Sequence, residues 1–273
     1  MKKSNSKYVQ YSIEAIPPFN DVISHFYFAE NKSDQIIRKT LLPSYQTILI
    51  FNFGCNALLH SKQNTSIKIK KNLVLGPIKQ SFDYSLPPNA SILVANFKDD
   101  GFYRFFGMAS IDDKRAIPTD NLVKENCFTT LWTDLNRIDS VQERVDYIIE
   151  FCKPYLKDGD VITKQLTHFN DHNLNPIKAI ASANNLSERS LQIKHKNQFG
   201  YSAKEINRYR RFTKVIQLIQ EMTPSTSKVD WFDIINACGY YDQSQLIHDF
   251  NHYLNLSPSK YLKFQHDICN PMI

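Results

Sequence analysis

The chain predicts an α+β protein: a β-rich barrel or sandwich domain, a helical linker, and an all-α C-terminal domain with two helix-turn-helix units joined by a long helix. Three observations carry this. Short β-branched and aromatic segments, divided by Pro, Asn, Ser and Gly, fill the first hundred residues. Apolar spacing turns helical from about residue 140. Finally, segment 177–206 is echoed at 232–261, with Leu191 matching Leu246, Ser202 matching Ser257 and Ile206 matching Tyr261, 55 positions apart each time. The boundaries follow as 1–115, 116–158 and 159–273.

The strands come first. HFYFA at 25–29, TILIFNF at 47–53, SIKIK at 66–70 and SILVANF at 91–97 suit a small barrel or sandwich. In SIKIK, Ile67 and Ile69 alternate with Lys68 and Lys70, as one buried and one wet face requires. TILIFNF is apolar nearly throughout and suits a central strand. Asp99-Asp100 and Asp112-Asp113 read as solvated turns rather than acid-base pairs, because adjacent acids in a strand face opposite ways. The cluster Phe102, Tyr103, Arg104 and Phe106 is a candidate ligand pocket, with Arg104 for an anion; core packing is the blander use.

In the linker, Ser140 with Glu143 makes a capping-box signal, and Val141, Val145, Ile148, Ile149, Cys152 and Tyr155 recur at helical spacing, predicting a helix over 141–155. Leu131, Leu135 and Ile138 suggest a second apolar face. This region could dock on its own domain or pair two subunits into a homodimer. After a loop at 157–160, the rest is helical, with breaks at 173–176 and 223–228 and one connecting helix, Ala203–Met222.

A helix-turn-helix places its second helix in the major groove while the first braces it across the backbone. In the first copy Ile177, Ile180 and Ala181 should pack, Asn185 should take the left-handed turn, Ser187 should cap, and Leu191 with Phe199 should anchor the second helix. In the second, Ile234 and Ala237 should pack, Gly239-Tyr240 should turn, and Leu246, Phe250 and Leu254 should be buried. Gln and Arg on the outward faces suit bidentate contacts to adenine and guanine. Between Ser187 and Lys214, eight cations face two acids, a local net of +6 that equals the net charge of the whole chain. In that stretch Lys196, Arg208, Arg210 and Arg211 are candidates for phosphate, although a solvated helix face is the plain alternative for the arginines.

ACGYYDQSQLIHDFNHYLNLSPSKYL at 237–262, with LSERSLQ at 186–192 and RRF at 210–212, resembles the AraC/XylS family of bacterial transcription regulators over about 160–264. The resemblance implies that Arg189, Gln192 and Ile193 of the first unit, and Gln243, Ser244, Gln245, Ile247 and His248 of the second, face bases in successive major-groove segments. Three positions depart from the family pattern. Ile193 stands where Arg is frequent, His195 replaces an aromatic core residue, and Ile235 fills a small-residue site. LLPSYQTILIFNFG at 41–54, Gly76-Pro77 and NFKDDGFYRFFG at 96–107 resemble the cupin-like N-terminal domain of some of these regulators, which implies sensing of a small-molecule effector or dimerisation.

The expected function is therefore a sequence-specific, cytoplasmic, DNA-binding transcription regulator, an activator or a repressor, with double-stranded DNA as its partner, RNA polymerase as a candidate second partner, and with no cofactor and no catalysis. His25 and His60 are the only histidines before residue 168, which argues against a metal-binding barrel; His25 reads as a strand residue with a local hydrogen bond. No G-x-S-x-G, H-E-x-x-H or P-loop occurs. The basic start Met1-Lys2-Lys3 is followed by no apolar run, so neither a leader nor a membrane segment is expected. Five scattered cysteines give no metal knuckle or disulfide framework. Two alternatives remain: an alkyl-acceptor DNA repair protein, which would need an activated thiolate, and a carbohydrate-binding β module with a helical assembly tail.

Overall fold

The computed structural model describes residues 7–60, 66–109, 117–123, 126–169, 174–222, 230–264 and 268–269. The expectations at Asp112-Asp113, Asn173 and 223–228 fall outside them.

Among the described residues, ten strands form two sheets. They are β1 (Tyr8–Glu14), β2 (Ile23–Asn31), β3 (Ile37–Leu41), β4 (Thr47–Gly54), β5 (Ala57–His60), β6 (Ser66–Ile69), β7 (Asn72–Leu75), β8 (Phe82–Leu86), β9 (Ala90–Phe97) and β10 (Ile268–Cys269). The first sheet has the order β1-β2-β9-β4-β7 and the second β10-β3-β8-β5-β6. Pairing is antiparallel except where β10 lies parallel to β3, Ile268 opposite Thr40. β6 is an edge strand with Lys68 exposed and Ile69 buried, as its alternation requires.

β4 has no wet face because the domain has three layers. Ile48 and Ile50 point between the sheets towards Leu59, Ile69, Tyr84, Ile92 and Val94. Leu49 and Phe51 point the other way, into a core shared with Phe26, Leu93, Phe128, Leu131, Leu135, Val145 and Ile148. The last five of those lie on two helices, α3 (Cys127–Leu135) and α4 (Val141–Cys152), so the middle region lays its apolar face on its own sheet. The two shorter helices before them are α1 (Gly101–Phe106) and α2 (Asp120–Val123). Ser140 caps α4 by accepting from the Glu143 N–H at 3.4 Å, and Trp132 Nε1 donates to the Asn52 carbonyl at 2.7 Å, tying α3 to β4. Residues 153–155 continue α4 as a 3₁₀ turn.

One expectation is corrected here. Asp99-Asp100 does form a turn, but Asp100 is buried and its carboxyl is raised by desolvation. Lys98 N–H donates to the Val22 carbonyl at 3.0 Å, which pulls this turn in against residues 19–22 instead of leaving it in water.

The remaining helices are α5 (Val161–Thr167), α6 (Pro176–Ala183), α7 (Glu188–Phe199), α8 (Ala203–Met222), α9 (Trp231–Cys238), α10 (Gln243–Leu254) and α11 (Pro258–Phe264). At 1.5 Å per residue the 20 residues of α8 span about 30 Å. Its buried face, Tyr209, Phe212, Val215, Ile216 and Ile219, joins Leu191, Phe199, Ile234, Leu246, Phe250 and Tyr253 in one core.

Two residues of the sandwich belong to that helical core: Leu42 and Tyr45, from the loop between β3 and β4. Tyr45 takes a left-handed backbone (φ 57°), its ring packs edge-on against Tyr201 at 5.2 Å, and the Tyr209 hydroxyl donates to the Pro43 carbonyl. The loop between β7 and β8 adds Lys79 Nζ to Glu205 Oε1 at 3.1 Å and Ser81 N–H to the Tyr253 carbonyl at 2.8 Å. At Gly200 (φ 78°) a Cβ would lie 2.6 Å from the Ala109 carbonyl oxygen and 2.8 Å from Pro77 Cγ, so no larger residue fits between the halves.

Candidate nucleic-acid interface

The two helix-turn-helix units are α6 with α7 and α9 with α10. Each is built by short-range signals. Asn175 caps α6, accepting from the Ile177 and Lys178 N–H groups at 3.0 and 3.2 Å, and Pro176 follows at the first helical position. Asn185 turns at φ 54°, and Ser187 caps α7 by accepting from Ser190 N–H at 3.1 Å. In the second unit Gly239 turns at φ 69° and Asp242 caps α10 through the Gln245 N–H at 2.8 Å. The two copies solve one turn differently, with Asn where the first needs a left-handed residue and Gly where the second does.

Packing follows the expected faces with one correction. Ile177, Ile180, Ala181, Leu191 and Phe199 are buried in the first unit, and Ile234, Leu246, Phe250 and Leu254 in the second. Ala237 is exposed instead; Ile235 and Cys238 take the inner positions beside Ile234. In an eight-residue helix only one face meets α8 and α10, and 234, 235 and 238 share it at i, i+1, i+4 spacing. His195 occupies an aromatic core site as an aromatic would, 4.5 Å from the Phe199 ring, while its Nδ1–H donates to the Tyr201 carbonyl at 2.8 Å. Burial holds this imidazole below its ordinary pKa; the Tyr201 bond opposes that shift and the Arg210 charge adds to it.

The expected base-facing side chains all lie on exposed surface: Arg189, Gln192 and Ile193 on α7, and Gln243, Ser244, Gln245, Ile247 and His248 on α10. Ile193 keeps half of its surface in water, at 51%. Beside it runs an open groove of about 690 Å³ lined by Asn175, Gln192, Ile193, Lys196, Lys204 and Asn207, where the start of α6, the outer face of α7 and the start of α8 meet. Lys196 and Lys204 give this groove two cations next to a helix N-terminus, the local chemistry that suits a phosphate.

The arginines of α8 are placed differently from one another. Arg208 Nε donates to Asp249 Oδ1 at 2.7 Å, Arg211 reaches Asp249 Oδ2 at 3.4 Å, and the Tyr240 hydroxyl donates to Oδ2 at 2.8 Å. Asp249 is buried, with a side chain 3% exposed, so α8 and α10 are locked by an ion network that no local pattern announced. The only sequence signal is an acid on the inner face of an otherwise apolar stripe with arginines elsewhere to pair it. Arg210 is exposed, and its charge acts on the sandwich: desolvation raises the Asp99 carboxyl, while Lys98, Arg210 and His168 pull it back. Lys194 and Lys214 are also engaged, with Asp160 at 2.8 Å and with the Ala237 carbonyl at 2.6 Å.

Of the candidate ligand cluster in the sandwich, Phe102 is buried, stacking with Phe106 at 4.5 Å and edge-on to Phe97 at 5.4 Å. Tyr103 is half-buried, and Arg104 Nε donates to the Lys157 carbonyl at 2.7 Å. A separate cavity of about 40 Å³ lies between the sheets, lined by Tyr27, Leu41, Ile48, Leu59, Phe82 and Asn96 among others. His25 sits in β2 with Nδ1 3.0 Å from Ser24 Oγ, and His60 Nε2 lies 2.6 Å from Ser85 Oγ. No described helix is long and apolar enough to cross a membrane.

A helix-turn-helix domain family matches residues 180–263, and a domain of unknown function (DUF6597) matches 11–113. Among solved structures, ToxT from Vibrio cholerae aligns over 94% of this chain and 98% of its own at 14% identity and a TM-score of 0.41. Unsaturated fatty acid bound ToxT from strain SCE256 aligns over 96% and 97% at 15% identity and a TM-score of 0.40. An RmlC-like cupin protein from Desulfovibrio desulfuricans aligns over 36% of this chain and 88% of its own at 11% identity and a TM-score of 0.28. No curated protein sequence matches the chain.

Proposed function

We infer that this chain, whose residues 180–263 form a helix-turn-helix domain of the AraC/XylS type, is a sequence-specific DNA-binding transcription regulator. The observation that carries the reading is the pair of exposed helices α7 and α10, each presenting Gln or Arg outward and fixed to the other through α8. Such helices read base edges in two major-groove segments about 34 Å apart along one face of the duplex. Lys196 and Lys204 bind phosphate beside α7. Arg210 is the remaining phosphate candidate on α8, since the charges of Arg208 and Arg211 are paired with buried Asp249. RNA polymerase and a second copy of the chain are the protein partners this reading implies.

The sandwich is the regulatory half. Leu41 and Ile48, which line the inter-sheet cavity, bracket the loop that carries Pro43 and Tyr45 into the helical core, and Phe82 of the same cavity follows Ser81, which donates to Tyr253. A small molecule that spreads the sheets would therefore move both loops that hold α8 and α10. The cluster on α1, Phe102, Tyr103, Arg104 and Phe106, is the second candidate seat for such an effector.

Catalysis by methyl transfer at Cys152 or Cys238 is disfavoured by burial of their thiols. Burial raises Cys152 to about 12, and desolvation also raises Cys238, with Lys214 opposing. A thiol kept protonated at neutral pH is a poor nucleophile.

The test is selection of genomic fragments by the purified full chain. A shared bipartite motif with half-sites one helical turn apart is expected; a motif-free set of fragments overturns the reading.

A further inference from the structure

His248 stands on the outward face of α10, its side chain 72% exposed. Its ring is nevertheless oriented from behind. Arg208 NH2 on α8 lies 2.8 Å from His248 Nδ1, while the same guanidinium is gripped by Asp249, through Nε at 2.7 Å and NH2 at 2.6 Å. Asp249 is fixed in turn by the Tyr240 hydroxyl and by Arg211, whose guanidinium lies over the Tyr240 ring at 4.1 Å.

Guanidinium nitrogens only donate. A contact from Arg208 to Nδ1 therefore requires Nδ1 to accept, and in a neutral imidazole the proton then sits on Nε2, the nitrogen away from Arg208. Protonating both nitrogens would set an imidazolium against a guanidinium at hydrogen-bond distance. The charged groups beside the ring are Arg208 and Asp249, whose Oδ1 lies 4.0 Å from Nδ1, with the His252 ring 6.4 Å away.

We propose that Arg208 is a positioning residue for base reading: it holds His248 in the Nε2–H tautomer, so that His248 meets the major groove as a hydrogen-bond donor to a purine N7. A donor at this point disfavours cytosine, whose major-groove edge offers only an amine donor. The arrangement also explains why a residue in the basic stretch is pinned by a buried acid. Its work is to aim a neighbour, and the charge that would have bound phosphate is neutralised by Asp249.

The proposal rests on α10 facing bases, and the test separates the two claims. A motif is first obtained with the full chain, and the purine under His248 is identified as the position whose preference is lost in His248→Ala. Replacing that purine by its 7-deaza analogue, which lacks the N7 acceptor, should weaken wild-type binding about threefold to tenfold and leave His248→Ala unchanged. Nitrogen-15 NMR of the wild-type ring, assigned with His248→Gln, should show Nδ1 unprotonated and Nε2 protonated. Arg208→Lys should blur the preference at that one base while leaving those set by Gln243 and Gln245 in place, and Arg208→Gln should leave the salt slope of binding unaltered. Failure to obtain any motif would sink the reading of α10. A motif with an Nδ1–H ring, with no 7-deaza effect, or with a salt slope that falls by about one in Arg208→Gln would overturn the role of Arg208. The ring measurement uses the native chain and so stands even if the variant fails to fold.

Discussion

Tyr45, from the sandwich, stacks on Tyr209 of the long helix with ring centroids 4.6 Å apart and an interplanar angle of 29°. The contact joins the proposed regulatory half to the helix that connects both helix-turn-helix units. Aromatic pairs of this geometry add about 1 kcal/mol beyond the area they bury.

Tyr45→Ala should therefore cost about 3 kcal/mol and separate the halves. Scanning calorimetry should show one thermal transition in the wild type and two in the variant, with new protease cuts near residues 42–46. A single transition at the original midpoint would show that the loop does not hold the helical domain.

The helices α7 and α10 separate stability from reading. Leu246 is fully buried, and Leu246→Ala should cost about 3 kcal/mol and abolish binding to all DNA. Gln243 is exposed, and Gln243→Ala should leave the melting temperature unchanged while relaxing preference at particular bases. Urea unfolding and competition with base-substituted duplexes measure the two effects. Loss of stability in Gln243→Ala would count against its assignment.

Cations of one stretch should behave differently under salt. Lys196→Ala should reduce the slope of log affinity against log salt by about one, because a phosphate contact releases about one counterion. Arg211→Ala should leave that slope alone and instead lower stability, since it removes one partner from buried Asp249. Equal slopes for the two variants would erase the distinction.

His195 gives a pH dependence whose sign is fixed by burial. Its folded-state pKa lies below the unfolded value of about 6.5, so as pH falls through that value the unfolded chain takes up the proton first. The neutral ring is harmless above this range, and stability is lost as pH falls below about 6.5. His195→Phe should remove this part of the acid sensitivity, at a cost of about 1 kcal/mol at neutral pH for the unpaired Tyr201 carbonyl. Urea midpoints at pH 7.5 and 5.5 decide it; an unchanged difference between the two would reject the assignment.

What was legible in the sequence was local. Ser187, Asn185, Gly239 and the leucines at 191 and 246 act within one or two turns, so caps, turns and buried faces followed from spacing alone. Asp249 was not legible, because its partners Arg208 and Arg211 lie 41 and 38 positions away and a lone acid on a helix gives no direction. Phosphate roles for those two arginines rested on charge density, which cannot tell a free cation from a paired one. The Tyr209 bond to Pro43 spans 166 positions and carries no pattern. Ala237 is exposed although its spacing suits packing, because an eight-residue helix fits more than one apolar face.

Gly200 has a practical consequence for anyone recombining such proteins. It ends α7 where the backbone needs a left-handed residue, and it does so with Pro77 and the Ala109 carbonyl at the distance of a missing Cβ. A DNA-binding half grafted from another regulator onto this sandwich would have to bring a glycine to that junction. Chimeras with any side chain there should express as two folded but uncoupled parts, so interchangeability in this architecture is decided at the seam before it is decided at the bases.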